Sequence, residues 1–321
     1  MLDRHSGTLI SVAIAAAALG AIVSASITQT SGQAPPARFA TVAGKPNLSG
    51  IWQANNEANW DLQAHAALPA AVTQAGVYPY DYARVPAAPV LALGAAGAVP
   101  GSLGVVQGDG QIPYKPEALL IKKENAEHWI DRDPELKCYL PGIPRAMYMP
   151  YPFQITQSTN KIHMAYEFSN TARTIHLDKV AGPPDDTWMG HSVGRWDGDT
   201  LVVEVTDFND RTWFDRAGDF HSDALHLTER FSLKSPDIIQ YDVTIEDPKV
   251  FARPWRIAMP LYRRVEPNMQ LLEFRCNEFA EEFMYGNLRK QPLVKHWEGD
   301  TMTIDITRKV PSGDAFYQWY R

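Results

Sequence analysis

The sequence predicts a mainly β protein in which an antiparallel meander forms a closed barrel or a curved sandwich. Apolar and polar residues alternate with period two in many short runs after Pro150, which is typical of antiparallel strands with one solvated face. The connections between these runs are short and rich in Gly, Asp and Pro, which leaves no room for crossover helices. Only one earlier segment has a clear helical pattern.

The alternating runs are each expected to form a strand. In one of them, Leu201, Val203 and Val205 are predicted to share one face of the sheet. The runs are residues 162–168, 201–206, 225–233, 239–246, 255–262, 269–273 and 302–307. A chain with so many sequential strands removes its exposed edges by closing into a barrel or by packing two sheets together.

One sequence pattern occurs twice. Residues 194–206 (GRWDGDTLVVEVT) and 295–307 (KHWEGDTMTIDIT) share a Trp, an acid, Gly-Asp-Thr and then an alternating run. Gly accepts a positive φ and Asp tolerates a tight turn, so each copy is predicted to be a hairpin. The repeat indicates either a duplication or two independent uses of a favourable hairpin.

The first part of the chain is less regular. Residues 27–112 are rich in Ala, Pro and Gly and are interpreted as a long irregular arm with a first strand at residues 48–53. Residues 116–130 (PEALLIKKENAEHWI) are the clearest helix, because Pro and Glu suit its first turn and apolar residues follow at helical spacing. Residues 113–321 are predicted to form the main antiparallel β domain.

Residues 1–26 have the pattern of a secretory signal peptide. A short polar start is followed by an uncharged apolar run from Leu9 to Ala25, which ends in small residues. The alternative is a membrane anchor, although the run is slightly shorter than the ~20 residues of a spanning helix. Both interpretations place the main domain outside the cytoplasm, in the periplasm or secreted.

Composition excludes some partners. The formal net charge is −7, and the chain has no Lys/Arg-rich run, so a nucleic-acid partner is not expected. After signal cleavage no stable membrane insertion is expected either. The two cysteines, Cys138 and Cys276, are predicted to form a disulfide in an oxidising compartment; the alternative is two separate buried thiols.

Several segments resemble a large family of exported, uncharacterised bacterial proteins. The main one is residues 188–231, which begin WMGHSVGRWDGDTLVVEVT and end HSDALHLTERF, and residues 133–145, 244–255 and 271–278 add to it. The resemblance covers most of the chain after Asp133 and implies export, but it brings no activity. Residues 47–52 (NLSGIW) are also similar to the Gly-x-Trp opening of lipocalin-like barrels.

The alternation predicts ionisable groups on apolar strand faces. Glu229 falls on the face of Leu225, Leu227 and Phe231, and Arg173 on that of Ile175. Asp207 is likewise predicted to extend the face of residues 201, 203 and 205. An unpaired buried carboxylate is costly, so these groups are either a structural ion pair, Glu229–Arg173 or Asp207–Arg173, or a carboxyl of raised pKa for general acid/base work.

Three further side chains are candidates for the same chemistry. His221 and His226 are near these acids in sequence and could carry protons, and Tyr166 could donate a hydrogen bond to a ligand. Each also has a structural interpretation, as a hydrogen-bonded histidine or a core tyrosine. The irregular segment 206–221 is predicted to cross one end of the strands, with Asp215 and other acids and aromatics at the mouth.

Local motifs for other chemistries are weaker. Residues 190–194 (GHSVG) match a nucleophile elbow by letters, but a hairpin follows where the elbow needs a helix. His221-x-Asp223 with His296 would be a minimal iron site, and the acids of residues 206–221 do not follow EF-hand spacing. No cofactor or metal is therefore predicted.

The sequence predicts a barrel that binds a small hydrophobic molecule. Glu229, His226, His221, Asp207, Asp215, Tyr166 and Arg173 are its candidate catalytic residues. The reaction class would be a cofactor-independent lyase, isomerase or hydrolase. The alternatives are a ligand-binding protein without chemistry and a surface carbohydrate-binding protein that uses Trp188, Trp213 and Trp255.

Overall fold

The predicted barrel is confirmed. In a computed structural model, nine strands form a closed barrel. The structure describes residues 39–66, 101–274 and 276, together with the backbone of residues 70–73, 82–85, 294–298 and 301–305. The predicted export signal, residues 1–26, lies outside the described residues. Among the residues described, no helix is long and apolar enough to cross a bilayer.

Fifteen strands are described in chain order. They are β1 (Thr41–Val42), β2 (Lys45–Pro46), β3 (Gly50–Ala54), β4 (Ala70–Thr73), β5 (Tyr82–Val85), β6 (Phe153–Gln157), β7 (Lys161–Tyr166), β8 (Ala172–His176), β9 (His191–Asp197), β10 (Thr200–Thr206), β11 (His226–Ser235), β12 (Ile238–Glu246), β13 (Trp255–Arg263), β14 (Val294–Glu298) and β15 (Thr301–Asp305). The helices are α1 (Pro116–Glu127) and α2 (Trp129–Arg132), and short 3-10 turns cover Pro134–Lys137, Arg145–Met147 and Phe168–Asn170.

The barrel order is β10-β11-β12-β13-β3-β6-β7-β8-β9. Strands β9 to β13 follow one another as the predicted meander, but the run at residues 269–273, also predicted as a strand, does not form one. The first strand of the arm, β3, enters the barrel between β13 and β6. The closing contact between β8 and β9 is parallel, unlike the other contacts of the barrel. The sheet is therefore mixed.

The barrel interior is filled by its own side chains. The inward positions of β10, β11 and β12 alternate as the sequence predicts, and Val203, Leu227 and Val243 have no exposed surface. A barrel of about eight strands is just wide enough for side chains to fill it. Burial of apolar area at this scale is the main stabilising contribution to the fold.

The predicted helix begins at Pro116, as expected, but α1 ends at Glu127 and α2 begins after a break at His128. Its buried residues are Ala118 and Asn125, whereas Leu120 is 67% exposed. The helical spacing was thus correct, but the inward face was not the most apolar one. Gly218 of a neighbouring loop approaches Ala126 and Asn125 on this inward face.

Two other predictions on connectivity are confirmed. Cys138 and Cys276 form a disulfide across a sequence separation of 138 residues. Both copies of the repeated pattern are hairpins with the same register: Trp196 pairs with Leu201 in the barrel, and Trp297 pairs with Met302 in the two-stranded sheet β14–β15.

One end of the barrel is covered by long connections. The chain leaves β3 and β10 and enters β6, β11 and β13 at the same end, because these strands alternate in direction around the sheet. We call this end, with residues 55–66, 101–152, 207–225 and 247–254, the capped end. Most buried charges outside the barrel interior lie there.

Candidate functional site

An ion pair lies inside the barrel. Arg173 on β8 donates from Nη1 to Glu229 Oε2 (2.8 Å) and from Nη2 to Oε1 (3.1 Å). Tyr241 on β12 donates its hydroxyl to Glu229 Oε1 at 2.6 Å. Glu229 has no exposed surface, and Arg173 is 5% exposed. The Glu229–Arg173 bridge that the alternation allowed is therefore present, with the two-pronged geometry that guanidinium and carboxylate favour.

The remaining contacts of Arg173 are also with protein atoms. Its Nε lies 3.4 Å from Met164 Sδ, its Nη1 lies 3.5 Å from Ser192 Oγ, and its Nη2 lies 3.9 Å from Met147 Sδ. Tyr166 donates its hydroxyl to Met147 Sδ at 3.3 Å, and burial raises the pKa of this phenol. Arg173 and Tyr166 thus have their hydrogen-bonding groups engaged within the core.

A second network at the capped end is charge-matched. Arg145 binds both oxygens of Asp133 (2.8 and 2.9 Å) and Glu135 Oε2 (2.7 Å), and its Nε donates to Asn59 Oδ1 at 2.8 Å. Arg216 binds the same Glu135 through Nε (2.8 Å) and Nη2 (3.0 Å). Burial alone would raise the pKa of Glu135, but the charges of Arg216 and Arg145 outweigh it and lower the pKa to about 2.

A third cluster, next to this network, is not matched. Carboxylate oxygens of Asp61, Asp215 and Asp219 lie within 4.8 Å of one another. Asp215 and Asp219 have no exposed surface. We call Asp215 and Asp219 the acid pair. Repulsion between two buried carboxylates is severe unless a proton or a cation separates them.

The acid pair is assembled by one tight loop. Trp213 pairs with Phe220 as an isolated bridge, and Phe214 N donates to Asp219 O at 2.7 Å. The two acids therefore stand on opposite arms of the same turn. Gly218 in this turn has a φ of +88°, and a Cβ there would lie 2.6 Å from Ala126 N and 2.8 Å from Lys122 O. Only glycine lets the loop contact α1 so closely.

The two acids accept different hydrogen bonds. Asp215 Oδ1 accepts from Asp219 N (3.2 Å), and its Oδ2 accepts from Leu62 N (2.9 Å). Asp219 Oδ1 accepts from the Tyr114 hydroxyl at 2.8 Å. Its Oδ2 is buried and accepts no hydrogen bond from the residues that the structure describes; Lys122 Nζ lies 3.9 Å from it.

This arrangement shifts the pKa values of the ionisable groups in and around the acid pair. Burial and the neighbouring Asp219 carboxylate raise the pKa of Asp215 well above its usual range. Burial also raises the pKa of Asp61. Burial alone would lower the pKa of Lys122, but the acids around it, first of all Asp219, raise it. Asp215 therefore keeps its proton to a higher pH than an exposed aspartate does.

Of the predicted site residues, only Asp215 belongs to the acid pair. His221, six residues further on, is buried, with Nδ1 at 2.9 Å from Ser222 O and Nε2 at 2.6 Å from Thr212 Oγ1. A carbonyl only accepts, so Nδ1 carries the proton and Thr212 donates to Nε2. Burial lowers the pKa of His221. These contacts fit a neutral histidine with both nitrogens engaged.

His226 faces outward from β11. Its Nε2 lies 3.0 Å from Glu204 Oε2 and its Nδ1 lies 3.3 Å from Glu246 Oε2. Its side chain is 40% exposed. The structure thus places His226 on the outer surface of the sheet, across the barrel wall from Glu229.

The predicted face of Asp207 needs correction. Strand β10 ends at Thr206, and Asp207 adopts a positive φ of 58°. The residue is half-buried and accepts a hydrogen bond from the Thr206 hydroxyl at 3.0 Å. The turn directs Asp207 away from the interior face of Val205, so an Asp207–Arg173 bridge is not formed.

The segment 206–221, predicted to form an open mouth, is only partly exposed. Asp210 is exposed, whereas Trp213 is 7% and Trp255 is 3% exposed. Trp188 is half-buried and stacks on Tyr139, with 5.0 Å between ring centroids. These three tryptophans therefore do not form the exposed row that a carbohydrate surface needs.

The His-x-Asp pattern does not converge either. Asp223 is exposed and pairs with Lys249, whereas His221 is buried and bonded to Thr212 and Ser222. For His296, on β14, the backbone alone is described. Within the described residues, the cluster of Asp61, Asp215 and Asp219 is the acidic group whose oxygen spacing suits a hard cation.

Sequence reasoning missed most residues around Asp215. Asp219 is four residues away across a glycine turn, a spacing that could have indicated proximity. Asp61 belongs to the arm, and Tyr114 and Lys122 flank and occupy α1; no local pattern connects these three to Asp215. Their convergence depends on the long connections of the capped end.

Comparisons with known proteins add no relative: the chain matches no protein-family model, no curated protein and no solved structure at a significant level.

Proposed function

We propose that this protein is an exported barrel that binds a small hydrophobic or aromatic molecule at its capped end, where Asp215 and Asp219 act as a general acid/base pair. The observation that carries this proposal is the contact of two fully buried carboxyl groups, of which one, Asp215, has a pKa raised well above its usual range by burial and by its neighbour. Environments that separate the protonation states of two neighbouring acids are typical of acid/base sites.

The surroundings support a hydrophobic ligand. Tyr114 packs on Phe220 and Phe251, with centroid distances of 6.0 and 5.1 Å, and Phe214 meets Trp255 edge-on at 5.8 Å. Lys122 keeps 19% of its side chain exposed and Asp61 is half-buried, so the cluster around the acid pair reaches solvent at these two residues. Aromatic walls with a few polar groups are usual for small-molecule sites.

The reaction class follows from the pair. A protonated and an ionised carboxyl can transfer protons to and from one substrate, which suits hydration, elimination, isomerisation or hydrolysis without a cofactor. Export is supported by the signal-like N-terminus, by the resemblance to exported proteins and by the Cys138–Cys276 disulfide, since disulfides persist in oxidising compartments.

A second function is ligand binding without chemistry. The Arg173–Glu229 pair, sealed in the barrel with Tyr241, favours it, because a matched ion pair in a packed core serves structure. The two functions differ in what happens to a bound molecule.

The test is a thermal-shift screen of the mature protein against aromatic and aliphatic esters, epoxides, enones and hydroxy acids, followed by mass spectrometry of each binder for turnover. A ligand that binds only the folded state raises the melting temperature. We expect Asp215→Asn to lower turnover by about 100-fold or more. Asp223→Asn, which changes an exposed acid paired with Lys249, is the matched control and should leave turnover unchanged.

Two outcomes would contradict the proposal. If ligands bind, but the wild type never converts them and no variant changes their binding, the protein binds ligands without chemistry. A melting temperature that rises with CaCl₂ in the wild type but not in Asp219→Asn would mean that a cation, rather than a proton, separates the acids.

A further inference from the structure

The acid pair is closed to solvent. Asp215 and Asp219 have no exposed surface, so no substrate touches them in this conformation. General acid/base catalysis requires the acid to come within about 3 Å of the atom that it protonates. A substrate therefore reaches the pair only if part of the capped end opens.

Helix α1 covers the loop that carries the acid pair. A Cβ at Gly218, in the turn of this loop, would lie 2.6 Å from Ala126 N, so the loop lies directly against the backbone of the helix. Lys122, also on this face of α1, places Nζ 3.9 Å from Asp219 Oδ2. Leu120, on the opposite face, is 67% exposed. Helix α1 is thus a layer between the acid pair and solvent.

Few apolar contacts hold α1 in place. Of its 12 residues, Ala118 and Asn125 are the buried ones, and only the first is apolar. The amide of Asn125 donates from Nδ2 to Gly218 O over a long distance, 3.4 Å. A segment that buries little apolar surface opens at a low cost in free energy.

Other walls of the acid pair are fixed more firmly. Leu62, which donates its N–H to Asp215, has no exposed surface. Tyr148 is 1% exposed and donates its hydroxyl to Phe214 O at 2.8 Å. These two walls belong to the buried core, so α1 is the wall that opens most readily.

Both ends of α1 have the geometry of a hinge. Lys115 is extended, with a φ of −67° and a ψ of 151°, and its N–H donates to Val250 O at 3.0 Å. His128, with a φ of −118° and a ψ of 27°, separates α1 from α2. Residues at the ends of secondary-structure elements commonly absorb the backbone rotations of moving lids.

We infer that α1 is a lid that moves about Lys115 and His128 and admits substrate to the acid pair. This inference rests on the proposed function and adds the conformational step that a fully buried pair requires. The lid opens, the substrate enters beside Asp215 and Asp219, and closure then excludes water from the reacting groups.

Two glycines provide a matched test. Gly218 has a φ of +88° and Gly108 a φ of +85°, so alanine causes similar backbone strain at either position. A Cβ at Gly108 has open space around it in the described part of the chain, whereas one at Gly218 would collide with the backbone of α1. Only Gly218→Ala should force the lid away from the loop.

The experiment measures backbone amide hydrogen exchange by mass spectrometry, without substrate. In the wild type, the amides of α1 should exchange at least about 10-fold faster than those of β11 and β12. In Gly218→Ala, the exchange of α1 should become faster again by about 10-fold, while that of β11 and β12 stays unchanged. Gly108→Ala should behave as the wild type does.

A second measurement links this opening to the acid pair. A carbodiimide with a small amine labels carboxyl groups that it can reach, and the exposed Asp223 serves as the internal reference. Relative to Asp223, labelling of Asp215 and Asp219 should increase in Gly218→Ala in parallel with the exchange of α1. Gly108→Ala should leave this labelling unchanged.

If Gly218→Ala does not fold, Asn125→Ala tests the same lid, because it removes the hydrogen bond to Gly218 O; its effects should be smaller and in the same direction. The inference is wrong if α1 of the wild type exchanges as slowly as β11 and β12. It is also wrong if α1 opens in a variant while labelling of the acid pair stays the same. Turnover is not measured, so these results are separate from those that test the proposed function.

Discussion

The barrel interior and the capped end both bury ionised side chains, but they balance the charges differently. Inside the barrel, Glu229 has one full counter-charge, Arg173, and a neutral donor, Tyr241. At the capped end, Asp215 faces a second carboxyl, Asp219. A buried acid with a matched partner has its charge balanced, whereas one that faces another acid carries an electrostatic cost of the kind that is typical of functional sites.

The same difference appears between two consecutive residues. Arg216 enters the network of Arg145, Asp133 and Glu135, where two cations meet two acids. Asp215 enters the cluster of three acids, with a single ammonium close by. One peptide bond therefore separates a balanced site from an unbalanced one.

The largest expected effect comes from removing one charge of the Arg173–Glu229 pair inside the barrel. Glu229→Gln leaves Arg173 as a buried cation without a counter-charge, which should lower the free energy of unfolding by about 3–5 kcal/mol. Denaturant unfolding with the disulfide intact measures it. The same change at Glu204, on the outer face of β10 and 35% exposed, should cost less than about 1 kcal/mol.

Removing both charges completes this test. Glu229→Gln with Arg173→Met should recover much of the loss, because no unpaired charge is left. A single variant that stays within 1 kcal/mol of the wild type while ligand turnover disappears would show instead that Glu229 is catalytic, as the sequence alone allowed.

An intermediate effect is expected from Glu135 and pH. The folded-state pKa of about 2 lies below the ordinary value of 4.5, so Glu135 stabilises the fold above pH 4.5 and loses this contribution as pH falls toward 2. The loss should be about 3 kcal/mol. As pH falls from 5 to 2, the free energy of unfolding should decrease more for the wild type than for Glu135→Gln, as denaturant unfolding at several pH values would show. An equal pH dependence in the two proteins would contradict the conclusion that Arg145 and Arg216 stabilise the ionised form of Glu135.

The smallest expected effect has the opposite sign. The raised pKa of Asp215 means that the folded state retains a proton that the unfolded chain releases, so stability falls as pH rises above about 4. Asp219→Asn removes the repelling charge and offers Asp215 a donor. It should therefore stabilise the fold by about 1 kcal/mol at pH 8 and by less at pH 4. Thermal unfolding at the two pH values checks this; a destabilised variant at pH 8 would show that the acids do not repel.

The sequence predicted the barrel better than the site, for a physical reason. Period-two alternation reports which residues face inward, so Glu229 and Arg173 could be placed on interior faces from their neighbours alone. The predicted interior position of Asp207 was wrong because the alternation was extended one residue past the strand, where the backbone turns to a positive φ.

The long connections of the capped end have no regular alternation of apolar and polar residues from which burial could be predicted. Asp215 was among the predicted residues, but its neighbours are distant in sequence. Leu62, next to Asp61, bonds Asp215 across 153 residues, and Tyr114 bonds Asp219 across 105 residues. The sequence also did not indicate which face of α1 is buried, because Gly218 brings the loop against Ala126 and Asn125 and leaves Leu120 exposed.

The parallel contact of β8 with β9 has a mechanical consequence. It rests on two residue pairs, Ile175 with Ser192 and His176 with Val193, whereas β11 and β12 share nine. The barrel is in this sense a rolled sheet with one short seam, and local opening should begin along it, with the earliest exchange of its backbone amide hydrogens. Arg173 stands two residues before the seam and ties β8 to β11 across the interior. The ion pair thus works as an internal clasp that keeps the roll closed.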